Sequence, residues 1–380
     1  MRLGKNAVLA LVLAMPGYAA ADRLHGLGQN GAVQSGIAPK SASHQGVSET
    51  PIKAVANGKE QSSVNQLRKA AERGDANAMN ALGMAYADGV GVRQNEGEAV
   101  RWYRKAADQG HAEAMHNLAN AYYSGDGVTR SDRDAANWYL KSANLGYTKA
   151  MYNLGVLYAE GKGVSLSDRD AANWWRKAAG QGSLQAMNNL AGAYLEGRGV
   201  SQNGQTALSW WRKAADLGDA DAMVNLATVY GDGNSKAKGI AQNQRESAKW
   251  WRKAAELGDA DAMVNLGAAY DLGRGVPRND AEALRWYKQA ADRGRSHAMY
   301  NLGVMYVMGR GTAQNNREAL NWWRKAADLG EAEAMYNIGV AYQHGAGVSK
   351  SNSQALSWFK KAEQAGDKSA SDVIKQLQKL

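Results

Sequence analysis

The sequence contains no cysteine, one phenylalanine and four prolines in 380 residues. Without cysteine there is no disulfide to brace the fold and no thiolate to act as nucleophile or metal ligand. Pro277 is the only proline beyond position 51, so long segments are free to be helical. The longest apolar run near the start, Ala7 to Met15, falls short of the ~20 residues that span a bilayer. Histidine is scarce and scattered, at 25, 44, 111, 116, 297 and 344, with no His-x-x-x-His pair. That spacing and the missing thiols predict no metal site and no bound cofactor. Gly-x-Gly recurs in the loops of the repeats, as at Gly161-Lys162-Gly163, and in those loops no Gly-x-Gly-x-x-Gly or Gly-Lys-Ser/Thr completes it. These segments are turns rather than phosphate cradles.

What the chain has is repetition. The pattern opening at Ala112 with Ala-Glu-Ala-Met-His-Asn-Leu returns with Met at 79, 115, 151, 187, 223, 263, 299 and 335. The step is 36 residues except between Met223 and Met263, where it is 40. A fixed period of this size marks stacked supersecondary units. In the first half of a unit, Met115, Leu118 and Tyr122 fall at i, i+3 and i+7, one face of a helix. Small residues at Gly83, Ala119, Gly155 and Ala191 allow a partner helix to approach closely. In the second half, Ala99, Trp102 and Ala106 line one face, and Val100, Tyr103 and Ala107 an adjacent one. A surface so wide suits a helix packed between its own partner and the next unit. The pairs Trp174-Trp175, Trp210-Trp211, Trp250-Trp251 and Trp322-Trp323 then send their rings toward different neighbours.

Punctuation supports helical hairpins. Gly110 and its equivalents at 146, 182, 218, 258, 294, 330 and 366 stand where left-handed helix ends are expected. Asp75, Asp219, Asp259 and Asp367 follow such glycines as N-caps. Asn95, Asn243, Asn279 and Asn315 each precede a Glu by three residues, which predicts capping boxes; Asn203 has Thr206 there instead. In the fifth unit roughly Asn234 to Lys238 is inserted, read as a tolerated loop insertion with a binding feature as the alternative.

The ends have a different character. Arg2 and Lys5, the Ala7 to Met15 run and Ala19-Ala20-Ala21 form the layout of a secretory signal over residues 1–21. Residues 22–63 contain no aromatic residue and are rich in Ser, Gly, Gln and Ala, a composition expected for a flexible linker. The repeat region then spans 64–380: a half unit at 64–75, eight repeats over 76–367, and a capping helix over 368–380 with Val373, Ile374 and Leu377 inward. The expectation is an exported protein, periplasmic or secreted, with no transmembrane anchor after signal cleavage.

Met-x-x-Leu-Gly-x-x-Tyr, as at Met79 to Tyr86, resembles the tetratricopeptide pattern with Met in place of Trp. Joined to Ala-x-x-Trp-x-x-Lys-Ala-Ala-x-x-Gly it resembles the SEL-one-like repeat family, over Val64 to Asp367. The resemblance implies an all-α fold, a right-handed α/α superhelical solenoid used mainly as a protein-interaction scaffold and common in bacterial envelopes. Some cysteine-rich relatives are described as penicillin-binding or weak β-lactamase proteins, and this chain has none of their cysteines. Binding or hydrolysis of peptidoglycan or a β-lactam is thus the alternative to an adaptor. No catalytic constellation stands out, because acids such as Glu113, Asp221, Asp261 and Glu333 recur as a column.

The net charge is +10, or +8 without Arg2 and Lys5. Arg104-Lys105 and its equivalents at 176, 212, 252 and 324 repeat on second helices. Local acids (Asp108, Asp216, Glu256, Asp328) and the helix C-terminus account for these cations, so nucleic acid is not an expected partner. In contrast, positions −2, +1, +5 and +8 from each Met vary between units and share one helical face; in tetratricopeptide arrays the matching positions line a concave groove. They give Glu113, His116, Asn120 and Tyr123, then Lys149, Tyr152 and Val156, then Val264, His297, Tyr300, Val304, Tyr336 and Val340. The candidate partner-binding residues are Glu113, His116, Tyr123, Tyr152, Val264, Tyr300 and Tyr336, for a protein of the cell envelope or of a host. The +1 tyrosines have a second role open to them, covering the neighbouring helix. The column Asn117, Asn153, Asn189, Asn225, Asn265, Asn301, Asn337 is expected to hydrogen-bond between helices.

Overall fold

A computed structural model describes residues 58–233 and 238–378. The expected signal, most of the expected linker and nearly all of the fifth-repeat insertion lie outside the described residues. Every regular element among the described residues is an α-helix. They fall into two compact units, one ending at Leu217 and one starting at Gly218. The N-terminal unit holds α1 (Gly58–Glu72) and four hairpins: α2 (Ala76–Asp88) with α3 (Glu96–Asp108), α4 (Ala112–Ser124) with α5 (Asp132–Asn144), α6 (Thr148–Glu160) with α7 (Asp168–Gly180), and α8 (Leu184–Glu196) with α9 (Gly204–Asp216). The C-terminal unit pairs α10 (Ala220–Gly231) with α11 (Gln244–Glu256), α12 (Ala260–Leu272) with α13 (Asp280–Asp292), α14 (Ser296–Met308) with α15 (Asn316–Asp328), and α16 (Ala332–His344) with α17 (Asn352–Gln364). Helix α18 (Ala370–Leu377) closes it, with Ile374 buried and Val373 and Leu377 packed beside Phe359. Helix α1 begins at Gly58, inside the stretch expected to be linker.

The hairpins close on a small residue opposite a ring. A Cβ added at Gly83, Gly155, Gly267 or Gly339 would stand within 2.8 Å of Tyr103, Trp175, Tyr287 or Phe359. Those rings are the second members of the aromatic pairs, and each is under 9% exposed. The first members sit half-buried in much of the array and are covered by a lysine three residues on. The Lys105, Lys141 and Lys177 ammoniums lie 4.0, 3.9 and 3.9 Å from the ring centroids of Trp102, Trp138 and Trp174. The arginines beside them reach the next repeat instead of the local acids expected from the sequence. Arg104 and Arg176 donate to the Tyr122 and Tyr194 hydroxyls at 2.5 and 3.3 Å, and Arg252 does the same to Tyr270. The basic stripe is therefore part of the packing: a guanidinium gains a phenol and a cation-π contact where an i+4 carboxylate would offer only a solvated pair.

The caps hold with two amendments. Asn95, Asn243, Asn279 and Asn315 accept from the N–H of the Glu three residues on, each at 3.1 Å. The return bond of a capping box is replaced, because the cap N–H already donates to a first-helix tyrosine carbonyl, as Asn95 does to Tyr86 at 2.8 Å. Glu98 and Glu282 turn instead to Arg101 and Arg285. Asp75, Asp219 and Asp259 cap their helices, whereas Asp367 accepts from Ser369 N–H and Ser369 occupies the cap position of α18.

Candidate partner-binding face

The variable positions of the first helices divide by depth, and the structure withdraws several of them from any surface. His116 is buried, its ring between Tyr139 and Tyr147 at centroid distances of 5.6 and 5.2 Å. Burial holds its pKa down to about 4, despite a hydrogen bond with Asn117 and with the Lys149 charge adding to the depression. It is a neutral core residue bonded to Asn153 of the next repeat at 3.1 Å. Val156 and Val264 are likewise buried, so neither touches a partner. At these positions the +1 and +5 side chains turn into the seam between repeats, as His116 does toward Asn153.

Glu113 is half-buried and already occupied. Tyr147 donates to its Oε1 at 3.2 Å and the Asn80 amide to its Oε2 at 3.3 Å, one contact from the cap of the following first helix and one from the preceding first helix. Tyr123 lies at the helix end, with Lys162 donating to its hydroxyl at 3.1 Å and Arg130 near its ring face. Tyr152, Tyr300 and Tyr336 remain half-exposed. Burial, joined by Glu333, pushes the Tyr300 hydroxyl up to about 12, and burial raises Tyr152 and Tyr336 as well. The Tyr336 ring meets Phe359 edge-on at 5.1 Å. The tyrosines thus cover a neighbouring helix with one side and meet solvent with the other. The seven candidates divide between the units: four belong to the N-terminal unit and Val264, Tyr300 and Tyr336 to the C-terminal one.

The asparagine column joins repeats. The Asn117 amide donates to Asn80 Oδ1 at 3.0 Å, and Asn153 meets His116, so at these two positions the +2 Asn meets the +1 side chain of the preceding repeat, whereas Asn265 donates to the Asp261 carbonyl of its own helix at 3.0 Å. Replacing Asn117 with Ala leaves the buried Asn80 carbonyl without this donor. The expected loss is about 1–3 kcal/mol, read as a lower urea midpoint at unchanged slope. A second column was missed in the sequence. Four first-helix cap residues reach the −2 side chain of the preceding first helix: His111 to Asn77, Tyr147 to Glu113, Arg295 to Asp261 and Glu331 to His297. The signal was a recurring separation of 34 residues between polar pairs, hidden because the residue types change each time.

Among the described residues no group of three or more His, Asp or Glu is placed to hold a metal ion, and no helix is long and apolar enough to cross a membrane. The Sel1 repeat pattern matches eight consecutive segments, 76–111, 112–147, 148–183, 184–219, 220–259, 260–294, 296–331 and 332–367. The chain is 34% identical to c5321, a protective antigen of uropathogenic Escherichia coli strains displaying an SLR fold, over 82% of this chain and 66% of that one, with TM-score 0.74. It thus spans just under two thirds of that protein's length. A Sel1 repeat protein from Oxalobacter formigenes is 28% identical over 88% of this chain and 98% of its own, with TM-score 0.66. No curated protein is significantly similar in sequence. With its eight matched segments and these structural relatives, the chain belongs to the Sel1 repeat family.

Proposed function

We propose that this protein is an exported scaffold that holds a protein partner, of the cell envelope or of a host, on the solvent side of its first helices. Sel1 repeat proteins generally mediate protein–protein interactions. The observation that carries the finer reading is the pair Tyr300 and Val304 on α14, repeated as Tyr336 and Val340 on α16. All four are half-exposed, with exposed His297 and half-exposed Glu333 one turn away. Aromatic and aliphatic side chains bordered by charge are the composition of an interface core and its rim. Export is supported by the basic and apolar start of the chain, and by the E. coli relative's description as a protective antigen.

The test places a photo-crosslinking amino acid in the full chain at Val304, at Val340 and, as a control, at the exposed loop residue Leu166. One protein captured from envelope or host fractions at 304 and 340, and absent at 166, is the expected result. Capture at 166 alone, or equal capture at all three, removes the first-helix face from the proposal. Fractionation of the producing cells checks export directly, and retention in the cytoplasm overturns it.

A further inference from the structure

Two histidines sit at seams between consecutive first helices in surroundings of opposite character. His116, between α4 and α6, is buried among Tyr139, Tyr147, Asn117 and Asn153. Among the described residues no carboxylate bonds it. Glu113, one turn earlier on α4, is engaged by Tyr147 and Asn80, and the charge that reaches the ring from α6 is the Lys149 ammonium. A second proton on this ring would bury a cation with no counter-charge beside it. His297, between α14 and α16, is the reverse. Its ring is exposed, and its Nδ1 is 3.1 Å from Glu331 Oε2, a carboxylate only 7% exposed. Glu331 stands at the N-cap of α16 without capping it, and accepts instead from Ser296 Oγ at 2.8 Å. Glu333 on α16 and Asp261 on α12 also face His297, while Arg295 is taken up by Asp261 at 3.0 Å. Acid groups therefore surround this ring.

We propose that the two units carry seams of opposite proton response: acidification through the range where histidine titrates loosens the His116 seam and tightens the His297 seam. The proposal stands apart from the partner-binding reading and survives its failure. Burial favours neutral His116, so its contribution is complete above the unfolded-chain value of about 6.5 and is lost as pH falls toward about 4. The Glu331 bond favours charged His297. Its contribution is complete below that unfolded value and is lost as pH rises through the higher folded one. Burial works against ionised Glu331, yet the His297 bond and charge hold it below its usual value, so the clasp stays formed in mild acid.

Hydrogen exchange of the full chain, normalised to intrinsic rates at about pH 7.5 and about pH 5.5, tests this. Protection across 112–160 is expected to fall about tenfold on acidification, while protection across 296–344 rises. His116→Gln should abolish the first response alone and His297→Gln the second alone. Changes of the same sign in both segments, or a response that persists in its own Gln variant, overturn the proposal. Should His116→Gln fail to fold, ring NMR of the unsubstituted chain decides. His116 must stay neutral at about pH 5.5 and His297 must titrate above the unfolded-chain value; ordinary titration of either overturns the proposal.

Discussion

Replacing Gly163 with alanine is expected to destabilise the protein by about 3–5 kcal/mol, whereas the same change at Gly182 costs only about 1–2 kcal/mol. Both glycines have positive φ, +68° and +92°. They differ in surroundings. A Cβ at Gly182 meets nothing within 4 Å, while one at Gly163 would lie 2.0 Å from the carbonyl oxygen of Asp132. Asp132 is the first residue of α5, so the clash is with the backbone of the preceding repeat and no rotamer can relieve it. Gly127, Gly199, Gly275, Gly311 and Gly347 meet the same position of the helix 31 residues earlier, so the loop packs as a seam. Equilibrium urea unfolding of the two variants checks the contrast. Equal losses would mean that only the left-handed backbone matters and that the loop does not pack on its neighbour.

Replacing Trp323 with alanine is the second large effect, with an expected loss of about 3–5 kcal/mol. The ring is 2% exposed, and its Nε1 donates to the Tyr300 carbonyl at 3.1 Å. A cavity at this point cannot close easily, because the opposing residue is Gly303, whose added Cβ would stand 2.2 Å from the Trp323 nitrogen. Trp323→Tyr should cost clearly less. Tyr287 fills the equivalent place opposite Gly267 one repeat earlier, and Tyr103 does so opposite Gly83. Gly303→Ala should in turn destabilise by about 1–3 kcal/mol through overpacking. Thermal and urea unfolding order the three variants. If Trp323→Tyr were as damaging as Trp323→Ala, the ring-against-glycine account of the hairpin would fail.

The repeat period, the two helices per repeat, the helix-ending glycines and the inward aromatic rings were legible in the sequence. Each is a local choice made eight times over: a 3.6-residue apolar stripe, a glycine where φ must be positive, a small residue facing a large one. The Asn117 and Asn153 column was legible for the same reason, since identity at a fixed period points to architecture. The candidate face was less so. His116 and Val264 vary between repeats as exposed residues do, yet they are buried, because a seam between repeats accepts different +1 side chains against the same +2 asparagine. His116 faces Asn153 while Asn80 faces Asn117, and only coordinates reveal that the +1 residue of one repeat meets the +2 residue of the next. The arginine column was legible as charge, but its choice of the next repeat's tyrosine over a local acid depends on how consecutive hairpins stack. Helix formation and hairpin closure depend on neighbours within a few tens of residues and were determined by the sequence alone. The seams depend on the angle at which one hairpin meets the next, which no local pattern encodes, and tertiary structure decided them.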